Sequence, residues 1–177
     1  MRIGVLSDIH DNLWALPEAL ARLSDCEALL CLGDLCAPFT ITEIAQRFSG
    51  PVHLVWGNND GDKLLIARNA EAAGNVTIHG ELAELELGGR SIAMTHYPNI
   101  GQALTRGETY DLVCHGHSHQ RSITQIGRTT LLNPGEVMGR LGVRSVAVYD
   151  TVSARAEIIE FQTAGGRDDS YSSGTHL

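Results

Sequence analysis

The chain has 177 residues, 43% hydrophobic and 19% charged, which is enough for one packed core and too apolar for a disordered chain. Its 21 acidic residues against 13 basic ones give a formal net charge of −8, which argues against a broad basic surface and so against stable nucleic-acid binding. A small anionic substrate is not excluded, because bound metal ions invert the local field.

The opening, MRIGVLSD, reads as a buried strand stopping at Asp8 rather than as a signal peptide. Apolar residues at Leu13, Leu16, Leu20 and Leu23 have helical spacing, and Pro17 suits a first turn, so the regular helix is expected to begin after Leu13. EALLCLG is a second buried strand, followed by a helix around Ile41 to Phe48. VHLVW is a third strand, then GNND, then a helix over Lys63 to Ala73. This half reads βαβαβα, the pattern of a sheet with crossover helices.

The second half changes character. LAELEL alternates apolar and polar as a strand with one wet face does, Gly88-Gly89 turns the chain, and RSIAMTH returns. A short helix is expected over Gln102 to Gly107, then a buried strand DLVCHG. RSITQI with TTLLN, and VRSVAVYD with ARAEIIEF, form two further hairpins. The expected fold class is α/β, with two sheets packed together and helices outside. A single domain is expected over residues 1–162. The Gly-, Ser- and Asp-rich end, 163–177, reads as a flexible tail. No apolar run reaches the roughly 18 residues of a membrane span, so no membrane partner is expected. The cysteines Cys26, Cys31, Cys36 and Cys114 form no CxxC pair and read as reduced, packed thiols, which favours a cytoplasmic location.

Five strands end in side chains able to hold a metal. Asp8-Ile9-His10 follows the first, and Asp34 the second. Asn58 follows the third, within Gly57-Asn58-Asn59-Asp60, and His96 ends the returning hairpin strand. His117 and His119 follow DLVC. In extended segments Asp8 and His10, and likewise His117 and His119, would share a face by alternation. His115 is expected to be structural. Ligands in open α/β sheets bind beyond the carboxyl ends of strands. A mixed carboxylate, imidazole and amide set suits Mn²⁺, Fe or Zn²⁺ better than a thiolate site. Each piece alone has a plainer reading. A GD after a strand is often a helix cap, GNND a turn, and a single histidine a hydrogen-bonded structural residue. The set of five is not explained piecemeal.

The order D-x-H, GD, GN, H, GHxH resembles the motif set of calcineurin-like metallophosphoesterases. With Asn133-Pro134-Gly135 and the small size, the chain looks most like the compact bacterial and archaeal phosphodiesterase branch. The resemblance spans roughly Met1 to Phe161. It implies two mixed β-sheets packed face to face with helices on both outer sides, a four-layer αββα fold. It implies two divalent metal ions, Mn first, with Ni, Fe or Zn as substitutes. Asp8, His10 and His119 would bind one ion, Asn58, His96 and His117 the other, and Asp34 would bridge. Asp34, Asn58 and His96 would then be central to catalysis, in which a bridging hydroxide attacks phosphorus. Asn12 and Asn59 are the candidate contacts to the substrate phosphate. For Asn12, capping the helix that follows is the other reading.

Two departures stand out. Asn59 replaces the histidine that in many members protonates the leaving alcohol. Tyr97-Pro98 follows His96 where the family commonly has glycine, and the ring would line the pocket or pack on the hairpin. The expected activity is hydrolysis of a small or nucleotide-like phosphodiester. A phosphomonoesterase or nucleotide pyrophosphatase would use the same ligands. The different-class alternative is a noncatalytic scaffold, as in the retromer subunit of this fold. The absence of a large cap insertion implies an open site that a second copy could help close, so a homo-oligomer is possible.

Overall fold

The structure, a computed structural model, describes residues 1–163. Strands β1 (Arg2–Leu6), β2 (Ala28–Cys31), β3 (Val52–Leu54) and β4 (Val76–Ile78) run parallel. Helices α1 (Leu16–Ala21), α2 (Pro38–Arg47) and α3 (Lys63–Ala73) connect them. The antiparallel pair β10 (Ser145–Asp150) and β11 (Arg155–Glu160) completes a six-stranded sheet in the order β11-β10-β1-β2-β3-β4. The second sheet is formed by β5 (Leu82–Leu87), β6 (Arg90–Thr95), β7 (Leu112–Cys114), β8 (Ser122–Ile126) and β9 (Thr129–Asn133). Its order is β5-β6-β7-β9-β8, with β6, β7 and β9 parallel. Helix α4 (Pro98–Thr105) connects β6 to β7.

Strand alternation sorts the core into layers. Leu29, Cys31 and Leu54 turn towards Leu16, Leu20, Ile41, Ile44 and Ile66 of α1 to α3. Their neighbours Ile3, Val5, Leu30 and Leu32 turn the other way and meet Ile92, Met94, Leu112 and Leu132 of the second sheet. Ala93 and Val113, on that sheet's outer face, pack with Leu104 of α4. The result is the expected four-layer α/β arrangement, with two mixed sheets face to face.

Three element assignments differ from expectation. Strand β4 was not anticipated. It has three residues at the sheet edge, none fully buried, and too short an apolar run to register as a strand. Helix α4 begins at Pro98, four residues before the expected Gln102, because proline is pre-shaped for a first helical turn and needs no N–H there. Pro38 likewise starts α2 ahead of Ile41. From residue 164 onward, the segment expected to be a flexible tail lies outside the described residues. Among the described residues, no helix is long and apolar enough to cross a membrane.

Candidate metal centre

Parallel strands of both sheets end at one edge, and the metal-capable side chains follow them. Asp8 comes after β1, Asp34 after β2, Asn58 after β3, His96 after β6, and His117 and His119 after β7. The chain does not stay extended there. Positive φ angles occur at Asp8 (55°), His10 (46°), Asp34 (55°), His117 (67°) and His119 (58°). The expected alternation between Asp8 and His10, and between His117 and His119, is therefore replaced by left-handed turns. Non-glycine residues rarely adopt this conformation, and it concentrates where the surrounding structure enforces it. The glycines beside these side chains have a steric reason. A Cβ at Gly57 would collide with the Asp34 carboxylate, and one at Gly116 with the Ser7 hydroxyl.

The metal-capable donor atoms fall into two adjoining groups. In the first, His119 Nε2 lies 3.4 Å and His10 Nε2 3.8 Å from Asp8 Oδ1. In the second, Asn58 Oδ1 lies 3.0 Å from His96 Nε2 and 2.8 Å from His117 Nδ1. Asp34 reaches both, with Oδ2 3.4 Å from His10 Nε2 and Oδ1 3.5 Å from His96 Nε2. Donor atoms of Asp8, His10 and His119 lie within 4.8 Å of one another, as do those of Asp8, Asp34 and His96. Asp8 Oδ1 and His10 Nε2 are buried and have no hydrogen-bond partner among the described residues. Buried polar atoms are rarely left so, and a cation among them would satisfy both. The donor set therefore fits divalent ions.

The other ring nitrogens of His96, His119 and His10 are tethered. His96 Nδ1 donates to the Leu32 carbonyl at 2.7 Å, which leaves Nε2 with its lone pair facing the site. His119 Nδ1 donates to Glu136 Oε2 at 2.5 Å, and His10 Nδ1 lies 3.5 Å from Cys36 Sγ. The Tyr97 ring meets His96 edge-on at 5.3 Å and lies 5.8 Å from His117, so it packs on the imidazoles of the second group. His115 is buried and donates from Nδ1 to the Gly116 carbonyl, apart from both groups.

Asn12 and Asn59, the candidate phosphate contacts, are engaged within the chain. Asn12 Nδ2 donates to the Met138 carbonyl, while its Oδ1 accepts from Ala15 N–H at the start of α1. It thus braces the turn ahead of α1, whose own N-cap, Ala15, has no side-chain bond. Asn59 donates to Asp34 twice at 2.8 Å, from its backbone N–H and from Nδ2. Either amide would have to release these bonds to reach a phosphate.

Two buried carboxylates around the site gave no motif signal. Asp60 accepts from Leu35 and Cys36 N–H through Oδ1 and from Gly57 N–H through Oδ2, fixing the loops that carry Asp34 and Asn58. Glu136 accepts from His119, Leu141 and Gly142. Asp60 was readable as the last residue of a turn. Glu136 could have been found only by noticing that β9 also ends at this edge.

Electrostatics follow from this packing. Burial pushes the Asp8 carboxyl up, but its contacts with His10 and Ser7 and the charges of His119 and His96 outweigh it, so the net shift is downward. Contact with Asp8 raises His10 against the opposing effect of burial, and Asp34 and Glu136 add to the rise. A metal held by His10 would have to displace its proton. Because the His10 pKa is raised, that competition extends to higher pH than for a free imidazole. Divalent-ion affinity is therefore expected to be weaker at about pH 6 than at about pH 8, with protons released on binding. Calorimetry in two buffers of different ionisation enthalpy checks this, and equal affinities would contradict it. Asp60→Asn puts an N–H₂ group against a backbone donor and is expected to cost about 1–3 kcal/mol in urea unfolding. The same variant should weaken ion binding as the Asp34 loop loosens.

Comparison with known proteins gives this geometry its context. The calcineurin-like phosphoesterase superfamily domain matches residues 1–154. A phosphodiesterase of Methanocaldococcus jannaschii is 26% identical over 156 residues, covering 85% of this chain and 93% of that protein. A Methanothermobacter thermautotrophicus protein named "Probable metallophosphoesterase" is 32% identical over 176 residues, covering 90% of this chain and 92% of that one. The solved structure of an archaeal phosphodiesterase superposes with a TM-score of 0.84 at 25% identity, covering 91% of this chain and all of that one. That family uses divalent metals, and the chain belongs to it: it is a metallophosphoesterase of the calcineurin-like phosphoesterase superfamily.

Proposed function

We propose that the protein hydrolyses a small or nucleotide-like phosphodiester using two divalent ions, Mn²⁺ foremost. The observation that carries this reading is the placement of Asp34 between the two ligand groups, one oxygen facing each. Asp8, His10 and His119 hold one ion, Asn58, His96 and His117 the other, and Asp34 serves both. Two ions so held would supply an activated water as nucleophile and would offset charge on the phosphoryl oxygens.

The chain's own residues set up that chemistry. Leu32, Cys36 and Glu136 orient the rings of His96, His10 and His119. Asn59 holds the Asp34 carboxylate at both oxygens. Asn58 contributes an oxygen without adding negative charge. Asp8, Asp34 and His96 are buried, whereas Asn58 and His117 are exposed, so a substrate approaches from the second group's side. Asn59 cannot give a proton to a departing alkoxide, so esters with good leaving groups should react fastest. The free thiols Cys26, Cys31, Cys36 and Cys114 fit a reducing, cytoplasmic setting.

The test is hydrolysis of bis-p-nitrophenyl phosphate and p-nitrophenyl phosphate by chelated protein with Mn²⁺, Ni²⁺, Zn²⁺ or Mg²⁺ restored in turn. Metal-dependent turnover favouring the diester is expected. A preference for the monoester would overturn the diesterase assignment, and inactivity of protein carrying two ions would favour a scaffold. Asp34→Asn and His117→Ala should fold yet lose on the order of 10³-fold or more in kcat/KM. Asn59→His should raise turnover of an alkyl ester more than that of the nitrophenyl ester, by up to about 10²-fold. Equal effects on the two esters would rule out the proton-transfer explanation.

A further inference from the structure

Glu136 is a fully buried carboxylate with three partners among the described residues and no part in the proposed ligand set. It follows β9, the third parallel strand of its sheet to end at the site edge. Its Oε2 accepts from His119 Nδ1 at 2.5 Å. Its Oε1 accepts from the backbone N–H groups of Leu141 and Gly142 at 2.8 and 2.6 Å. The segment between runs past the site, where Met138 donates to the Asp8 carbonyl and accepts from Asn12. Leu141 and Val143 on it are exposed.

We propose that Glu136 is a positioning residue that fixes the His119 tautomer and ties it to the 138–144 segment. The inference rests on the reading of His119 as a metal ligand. A carboxylate at this place only accepts, so Nδ1 must carry the proton and Nε2 faces Asp8 Oδ1 with its lone pair free. Such outer partners of a metal-binding histidine hold its ring and raise its basicity. Among the described residues, the three groups bonded to the Glu136 carboxylate are all placed as donors to it.

Glutamine has the same shape and cannot do this. With its N–H₂ towards His119 it forces the proton to Nε2, closing that nitrogen to a cation. With its N–H₂ towards the segment it opposes two N–H donors. Glu136→Gln therefore either switches the tautomer or frees the segment, whichever way the amide lies.

The experiment begins with ion-free protein. Imidazole ¹⁵N spectra should show His119 protonated at Nδ1 in the wild type. In Glu136→Gln either that proton moves to Nε2 or amide exchange at Leu141 and Gly142 accelerates. Wild-type tautomer together with wild-type exchange would overturn the proposal. A Mn²⁺ titration followed by electron paramagnetic resonance supplies the second readout. Glu136→Gln should weaken one of two bound ions about 10–100-fold and leave the other at wild-type affinity. Loss at both ions would mean a merely structural role. His119→Ala separates the two readings. If it weakens one ion and Glu136→Gln weakens neither, the positioning role fails and the ligand assignment stands. If His119→Ala changes neither ion, the ligand assignment fails and the inference falls with it.

Discussion

Two carboxylates, Asp8 and Asp34, are buried side by side at the seam of two sheets, and the surrounding structure is organised around that fact. Burying a single unpaired charge is costly, and burying two of like sign more so. The loops answer with donors. His117 N–H reaches Asp8, and Asn59 reaches Asp34 with two N–H groups. His10, His96 and His119 close in from three directions. One oxygen, Asp8 Oδ1, still has no hydrogen bond, and that deficit gives the site its demand for a cation.

Meeting that demand distorts the backbone. Most non-glycine residues with left-handed φ lie at this edge, among them Asp8, His10, Asp11, Asp34, Cys36, His117 and His119. Such angles are held only where the surroundings over-determine them. Here the over-determination is visible in cross-loop bonds. Asp34 O accepts from Ile9 and His10 N–H, and Asp11 Oδ1 accepts from Ala37 N–H and the Thr40 hydroxyl. Asp60 binds a third loop to the second. The metal-capable side chains are held by the loops that carry them more than by one another.

The strands and their order along the chain were legible because their apolar runs are long and bounded by polar residues. The five strand ends that carry metal-capable side chains could be marked without knowing how the chain bends there. The bend itself was not legible. Alternation along Asp8-Ile9-His10 suggested an extended segment, and nothing in three residues announces a positive φ on aspartate or histidine. Asp60 and Glu136 were missed for a related reason. Each has partners that are mostly backbone N–H groups, and backbone groups leave no trace in residue type. Edge strand β4 escaped notice because a three-residue strand borrows its regularity from its neighbour rather than from its own pattern. Tyr97 was placed near the pocket, but its edge-on contact with His96 depends on ring orientation that spacing does not encode.

Asp8, Asp34 and Asn58 hang from one sheet, and His96, His117 and His119 from the other. The distance between the two sets is the thickness of the apolar filling between the sheets. Val5, Leu30, Leu32, Ile92, Met94 and Leu132 act as a spacer gauge, because close-packed side chains tolerate little compression or slip. Trimming a methyl group there would let one layer settle towards the other and change the bite of the site without touching any residue in it. The grease between the layers is, in this sense, part of the calibration of the instrument.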